Sequence, residues 1–81
     1  MTHPGLILAD ELKTGQLSQR ELSKSIGMLT SLLNETIKGK RPISPTLAIK
    51  LGSLLIGTAS YWVHAQAEYD LYQAKVAATI L

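Results

Sequence analysis

Eighty-one residues suffice for one small domain, and at that length a single core stabilises itself only modestly, so support from a partner chain is in keeping with the size. The chain has no cysteine, which removes disulfides, thiolate nucleophiles and cysteine-based zinc sites and fits a reducing, cytoplasmic setting. Eight Lys and Arg against six Asp and Glu leave a net charge of only +2, so any affinity for nucleic acid has to be concentrated in one patch. The N-terminus lacks the basic start of a secretory signal, no apolar run approaches the ~20 residues that cross a bilayer, and a soluble protein without a membrane partner is expected.

Pro4 has the fixed φ of a first helical turn, and the spacing predicts a helix from about Gly5 to Thr14. Leu8, Ala9 and Leu12 face inward, Asp10, Glu11 and Lys13 face water, and Gly15 is the stop. Leu6 lies outside that stripe, either as an incidental surface leucine or as a contact for another chain. Residues 17–41 then read as two short helices joined by a glycine turn. Ser18 can cap the first while Glu21 reaches back to the cap's own N–H, and Leu17 and Leu22 occupy the two positions of a hydrophobic staple. Leu22 and Ile26 form the inner edge, and Gly27 supplies the freedom a sharp turn needs. The second helix should begin near Thr30, which can serve as its cap or contact a base. Leu29, Leu32, Leu33, Thr36 and Ile37 follow its inner repeat, leaving Thr30, Ser31, Asn34, Glu35 and Lys38 together on the other face. A packed face, a polar face and a tight turn make a helix-turn-helix, and the basic loop Gly39-Lys40-Arg41-Pro42 that follows would lie beside phosphates.

Ser44 and Pro45 mark the start of a fourth helix, expected to run to about Leu55 with Leu47, Ala48, Leu51, Leu54 and Leu55 closing the core. Gly52 inside it points to close approach of another helix. After the break at Ile56-Gly57-Thr58 no proline or glycine interrupts the chain from Ala59 to about Ala78, which predicts a last helix of ~30 Å. Trp62, Ala65, Tyr69, Tyr72 and Val76 form one apolar stripe and Val63, Ala67, Leu71, Ala74 and Ala78 a second, more width than one core uses. This helix can fold over the domain, meet another chain, or do both with different stripes. The expected architecture is therefore all-α with five helices: residues 1–57 hold the helix-turn-helix, and residues 58–81 form a long C-terminal helix that packs on it and on a partner, in a single compact domain.

Enzymatic chemistry finds little support. His64 and Glu68 lie one helical turn apart, but a catalytic zinc needs a third ligand and none is arranged with them, and no nucleophile elbow surrounds any serine. No catalytic residue, metal or cofactor is expected. Trp62, Tyr69 and Tyr72, at helical spacing, belong to a core or an interface rather than to a base-stacking platform.

The spacing of residues 17–41 resembles the helix-turn-helix of the phage-repressor class (Cro/C1, or XRE), whose second helix lies in the major groove with its N-terminal side chains against base edges. The opening His3-Pro4-Gly5-x-Ile7-Leu8, the stretch Leu17-Ser18-Gln19-Arg20-Glu21-Leu22, the run from Leu33 through Asn34-Glu35 to Lys38-Gly39-Lys40-Arg41-Pro42-Ile43, and the late Trp62-x-x-x-Gln66-Ala67-x-Tyr69-Asp70-Leu71-Tyr72 narrow this further. Together they resemble the HigA-type, or VapI-type, addiction-module antitoxins, from His3 to Lys75. The resemblance implies a small homodimeric protein that binds operator DNA, represses its own operon and neutralises a RelE-like mRNA-cleaving toxin. It places DNA contacts at Gln19, Thr30, Ser31, Asn34 and Glu35, with Lys38, Lys40 and Arg41 supplying charge. The partner-facing candidates are Leu6, Trp62, Glu68, Tyr69, Asp70 and Tyr72, and Asp10 and Glu11 on the first helix with Glu68 and Asp70 on the last could complement a basic toxin cleft. The chain departs from the family's pattern at Leu6, Leu29, Glu35 and Ile56. A carboxylate at Glu35 can accept from cytosine N4–H₂ yet is repelled by phosphate, which keeps open a protein-interaction module without operator binding, or a repressor without a toxin.

Overall fold

Each helix starts where a side chain can take up an orphan N–H, with one exception. In the computed structural model, which describes residues 1–80, the helices are α1 (Pro4–Thr14), α2 (Gln19–Ile26), α3 (Thr30–Ile37), α4 (Pro45–Ser53) and α5 (Ala59–Ile80). Ser18 Oγ accepts from the Glu21 N–H at 3.0 Å while Glu21 Oε1 accepts from the Ser18 N–H at 3.1 Å, the reciprocal capping box. Ser44 Oγ accepts from the Leu47 N–H and Thr58 Oγ1 from the Tyr61 N–H. α1 is capped by His3, whose Nδ1 accepts from the Gly5 N–H at 2.8 Å. Only α3 starts without a side-chain cap among these helices, since its N-cap position is Leu29.

The core draws on every helix. Leu8 and Leu12 from α1, Leu22 and Ile26 from α2, Leu33 and Ile37 from α3, Leu47 and Leu51 from α4 and Trp62 from α5 are buried together, with Ile43 from the loop before α4. α1 crosses α3 so closely that a Cβ on Gly5 would overlap the Thr36 carbonyl, which leaves glycine as the residue that fits there. Gly52 has the close neighbour its position suggested, for a Cβ there would stand 2.9 Å from the Ala59 nitrogen. Gln66, buried on α5, accepts from the Ile43 N–H at 2.8 Å and donates to Asp70 Oδ1 at 2.9 Å, tying the loop after α3 to the last helix.

Three residues expected to face inward lie outside it, and the first is Leu29, which precedes the first helical turn of α3 as its N-cap residue and is 68% exposed. α4 stops at Ser53, and Leu54 and Leu55 are 40% and 90% exposed. The N–H groups of Leu55 and Ile56 bond back to the carbonyls of Gly52 and Leu51, and Leu55 takes a left-handed φ of 61°, so the chain has already reversed where another helical turn would have pointed these leucines inward. Ile56 packs against the core in their place.

The first turns of α5 supply Trp62 and Gln66 to the interior, with Ala65 and Tyr69 half-buried, whereas every residue from Asp70 to Thr79 is exposed. The last helix thus runs beyond the domain, giving extents of 42 × 23 × 21 Å. Among the described residues no helix is long and apolar enough to cross a membrane.

Candidate nucleic-acid interface

The turn between α2 and α3 is built by Gly27, at φ 68°, and by the Met28 N–H, which donates to the Ser23 carbonyl at 3.0 Å. Leu29 is extended at the N-cap position, so Thr30 is the first helical residue and not the cap. Its hydroxyl and that of Ser31 are exposed beside first-turn N–H groups that no side chain covers. That end of α3 combines two hydroxyls, free amide donors and the positive end of a helix dipole, a constellation suited to phosphate and base-edge acceptors.

Gln19, at the first position of α2, meets Asn34 on α3: Asn34 Nδ2 donates to Gln19 Oε1 at 3.1 Å. The bond aligns two half-buried amides and leaves Gln19 with a donor and Asn34 with an acceptor for a ligand. At the other end of α3, Arg41 Nε donates to Glu35 Oε2 at 3.3 Å, with side-chain exposures of 50% and 43%. An exposed pair of this kind contributes ~0 to 1 kcal/mol, so a phosphate can draw Arg41 away while the guanidinium offsets the carboxylate's charge. Lys38 and Lys40 are exposed on the same stretch.

Three further cations flank the turn. Arg20 and Lys24, one helical turn apart on α2, line a notch of about 550 Å³ with Leu29 and Thr30. Lys50 donates to the Ile26 carbonyl at 3.0 Å, at the C-terminus of α2, and lines an adjoining groove with Leu29 and Thr46. The i, i+4 spacing of Arg20 and Lys24 was available in the sequence, but Lys50 reaches the turn only through the packing of α4.

The residues expected to face a partner separate into different environments. Leu6, Glu68 and Tyr72 are exposed. Trp62 is not: it is fully buried, and its indole N–H donates to the Ile56 carbonyl at 2.7 Å, so it belongs to the core because the α4–α5 reversal folds over it. Tyr69 stands edge-on to the His3 ring with centroids 4.8 Å apart, and Asp70 is the acceptor for Gln66. His3 is itself buried, which lowers its pKa by desolvation against a smaller raising effect of Asp70. Among the described residues no three His, Cys, Asp or Glu groups cluster as metal ligands would.

Fold and polar face together define a helix-turn-helix protein of the phage-repressor class. No protein-family model matches the chain. Virulence-associated protein I of Dichelobacter nodosus is 36% identical over 74 residues, covering 90% of this chain and 68% of that protein. The Pseudomonas aeruginosa antitoxin HigA, solved with the higBA promoter, has a TM-score of 0.88 at 34% identity over 94% of this chain and 84% of its own. An addiction-module antidote protein of the HigA family from Coxiella burnetii has a TM-score of 0.82 at 31% identity, over 90% of this chain and 80% of its own. The chain belongs to the HigA/VapI-type antitoxins of the XRE helix-turn-helix class, a family of antitoxins and DNA-binding regulators and not of enzymes.

Proposed function

We propose that this protein is the antitoxin of a type II toxin–antitoxin module: a homodimeric autorepressor that binds its operator through α3 and neutralises a RelE-like mRNA-cleaving toxin. The uncapped start of α3 carries the reading, because Thr30 and Ser31 stand exposed there, flanked by the Gln19–Asn34 pair. Thr30, Ser31, Asn34 and Glu35 read base edges, and Gln19, Lys38, Lys40 and Arg41 position the backbone, joined by Arg20 and Lys24. The HigA relative solved with promoter DNA supports this use of the fold. The objection raised by Glu35 loses force with Arg41 only 3.3 Å away, which favours the repressor over an interaction module without operator binding.

For the toxin, α1 offers exposed Leu6 with the exposed carboxylates of Asp10 and Glu11, an apolar contact beside acidic groups that complement a basic RNA-binding cleft. Gel shifts with the DNA upstream of the gene, together with co-expression of the neighbouring reading frame, test both halves. Retardation at low salt and rescue of growth are expected. No retardation would remove the repressor, and a toxic neighbour that is neither bound nor neutralised would remove the antitoxin activity.

A further inference from the structure

Leu29 serves the fold poorly on two counts. It holds the N-cap position of α3, at φ −61° and ψ 136°, without an oxygen to take up an orphan N–H, and its side chain is 68% exposed. Only its backbone is used by the helix, the Leu29 carbonyl accepting from the Leu33 N–H at 3.1 Å. The side chain borders two hollows: the notch it shares with Arg20, Lys24 and Thr30, and the groove it shares with Leu32 and Lys50. Three cations therefore surround one apolar knob, and no carboxylate lines either hollow. The partner that fits this pattern is anionic around its margin and apolar at one point.

We propose that Leu29 is a specificity-determining residue for the operator, its isobutyl group packing on the C5-methyl of a thymine in the major groove. The inference rests on operator binding through α3 as proposed above, and it adds a base position that no hydrogen bond reads. Duplex DNA meets both requirements: its phosphates answer the cations at the margin, and the thymine methyl is the apolar group that base pairs present in the major groove. Residue 29 immediately precedes Thr30. A helix set with its N-terminal side chains against base edges therefore brings the leucine beside the bases that Thr30 and Ser31 contact. Methyl and isobutyl groups release water from each other on contact, whereas a cytosine in the thymine's place would set its N4–H₂ donor against a side chain that cannot accept. The operator is thus expected to carry a thymine at this position in each half-site.

Gel-shift titrations with the DNA upstream of the gene test this, each thymine of the footprinted half-site being replaced in turn by deoxyuridine. That replacement removes the methyl and keeps every hydrogen-bonding group of the base edge. The wild-type chain should lose affinity about four-fold per half-site at one thymine position. Leu29→Ala, its helicity checked by circular dichroism, should bind the unmodified operator more weakly than the wild type and be indifferent to uracil at that same position. The variant's response is read against its own unmodified operator, so a general loss of folding could not imitate it. Equal losses for both proteins would assign the methyl to another side chain, and no loss at any thymine would overturn the contact while leaving the repressor standing. Unaltered operator affinity in Leu29→Ala would also overturn it and leave the leucine for a protein partner. A wild-type chain that retards no upstream DNA at low salt would remove operator binding and this contact together.

Discussion

His3 holds the first turn of α1 through its unprotonated Nδ1, so the cap and a proton at that nitrogen exclude each other. Burial lowers its pKa below that of the unfolded chain, and the unfolded state therefore takes up the proton first on acidification. Stability should be unaffected by this group well above pH ~6.5 and fall as the pH drops through that value towards the lower folded pKa. His3→Asn, which keeps an acceptor but does not titrate, should flatten the change in urea midpoint between about pH 7 and pH 5. An unchanged slope would show that the loss comes from other groups. Leu55 presents the converse case, a side chain 90% exposed on a left-handed backbone. Its conformation costs ~1–2 kcal/mol and glycine's extra unfolded freedom ~0.5–1, so Leu55→Gly should stabilise the fold by about 0.5–1 kcal/mol in urea melts. A lower midpoint would mean that the leucine makes contacts which offset its strain.

At the scale of elements, α3 is a short helix whose ends have different chemistry. Its start offers hydroxyls and uncapped amides, while its end carries Lys38 as C-cap followed by the basic loop. Contacts from Lys40 and Arg41 to phosphate carry no sequence preference, so the double replacement by Ala should weaken binding to all DNA alike and reduce the salt slope by ~1–2, about 0.9 for each neutralised phosphate. Changing Ser31 should instead alter which operator is preferred. Glu35→Gln removes the counter-charge of Arg41 and should raise affinity for non-operator DNA in the same gel-shift titration. A salt slope unchanged by the Lys40 and Arg41 replacements would move the phosphate contacts to Arg20 and Lys24, on the far side of the turn.

For the whole molecule, the division of α5 decides what can be removed without unfolding. Trp62, Gln66, Tyr69 and Asp70 are engaged with the domain, whereas residues 74–79 are exposed. Deleting residues 74–81 should therefore leave thermal unfolding nearly unchanged while removing an exposed stretch of α5 that is open to the second chain of the proposed homodimer. If paired half-sites lie one DNA turn, ~34 Å, apart, that loss of linkage should reduce affinity for the full operator by at least about 100-fold and leave affinity for an isolated half-site unaltered. Equal losses on both DNAs would place the defect in the reading head and not in the dimer.

What the sequence determined by itself is local. The Ser18–Glu21 box, the Ser44 and Thr58 caps and the Gly27 turn act within three or four residues, so helix order, the helix-turn-helix and the family resemblance were legible before any packing was known. The exposed hydroxyls of Thr30 and Ser31 follow from the same helical repeat. Tertiary structure decided whatever depends on residues distant in the chain. Asn34 reaches Gln19 across fifteen positions and Gln66 reaches Ile43 across twenty-three, and neither pairing has a periodic signature. Trp62 and Tyr72 occupied one predicted stripe, yet only Trp62 is buried, because the domain ends before Tyr72 and leaves α5 nothing to pack against. Leu54 and Leu55 fitted the repeat of α4 equally well. A chain reversal two residues after Ser53 turned them to solvent, since hydrophobic spacing states which side chains could share a face and not where the helix will stop.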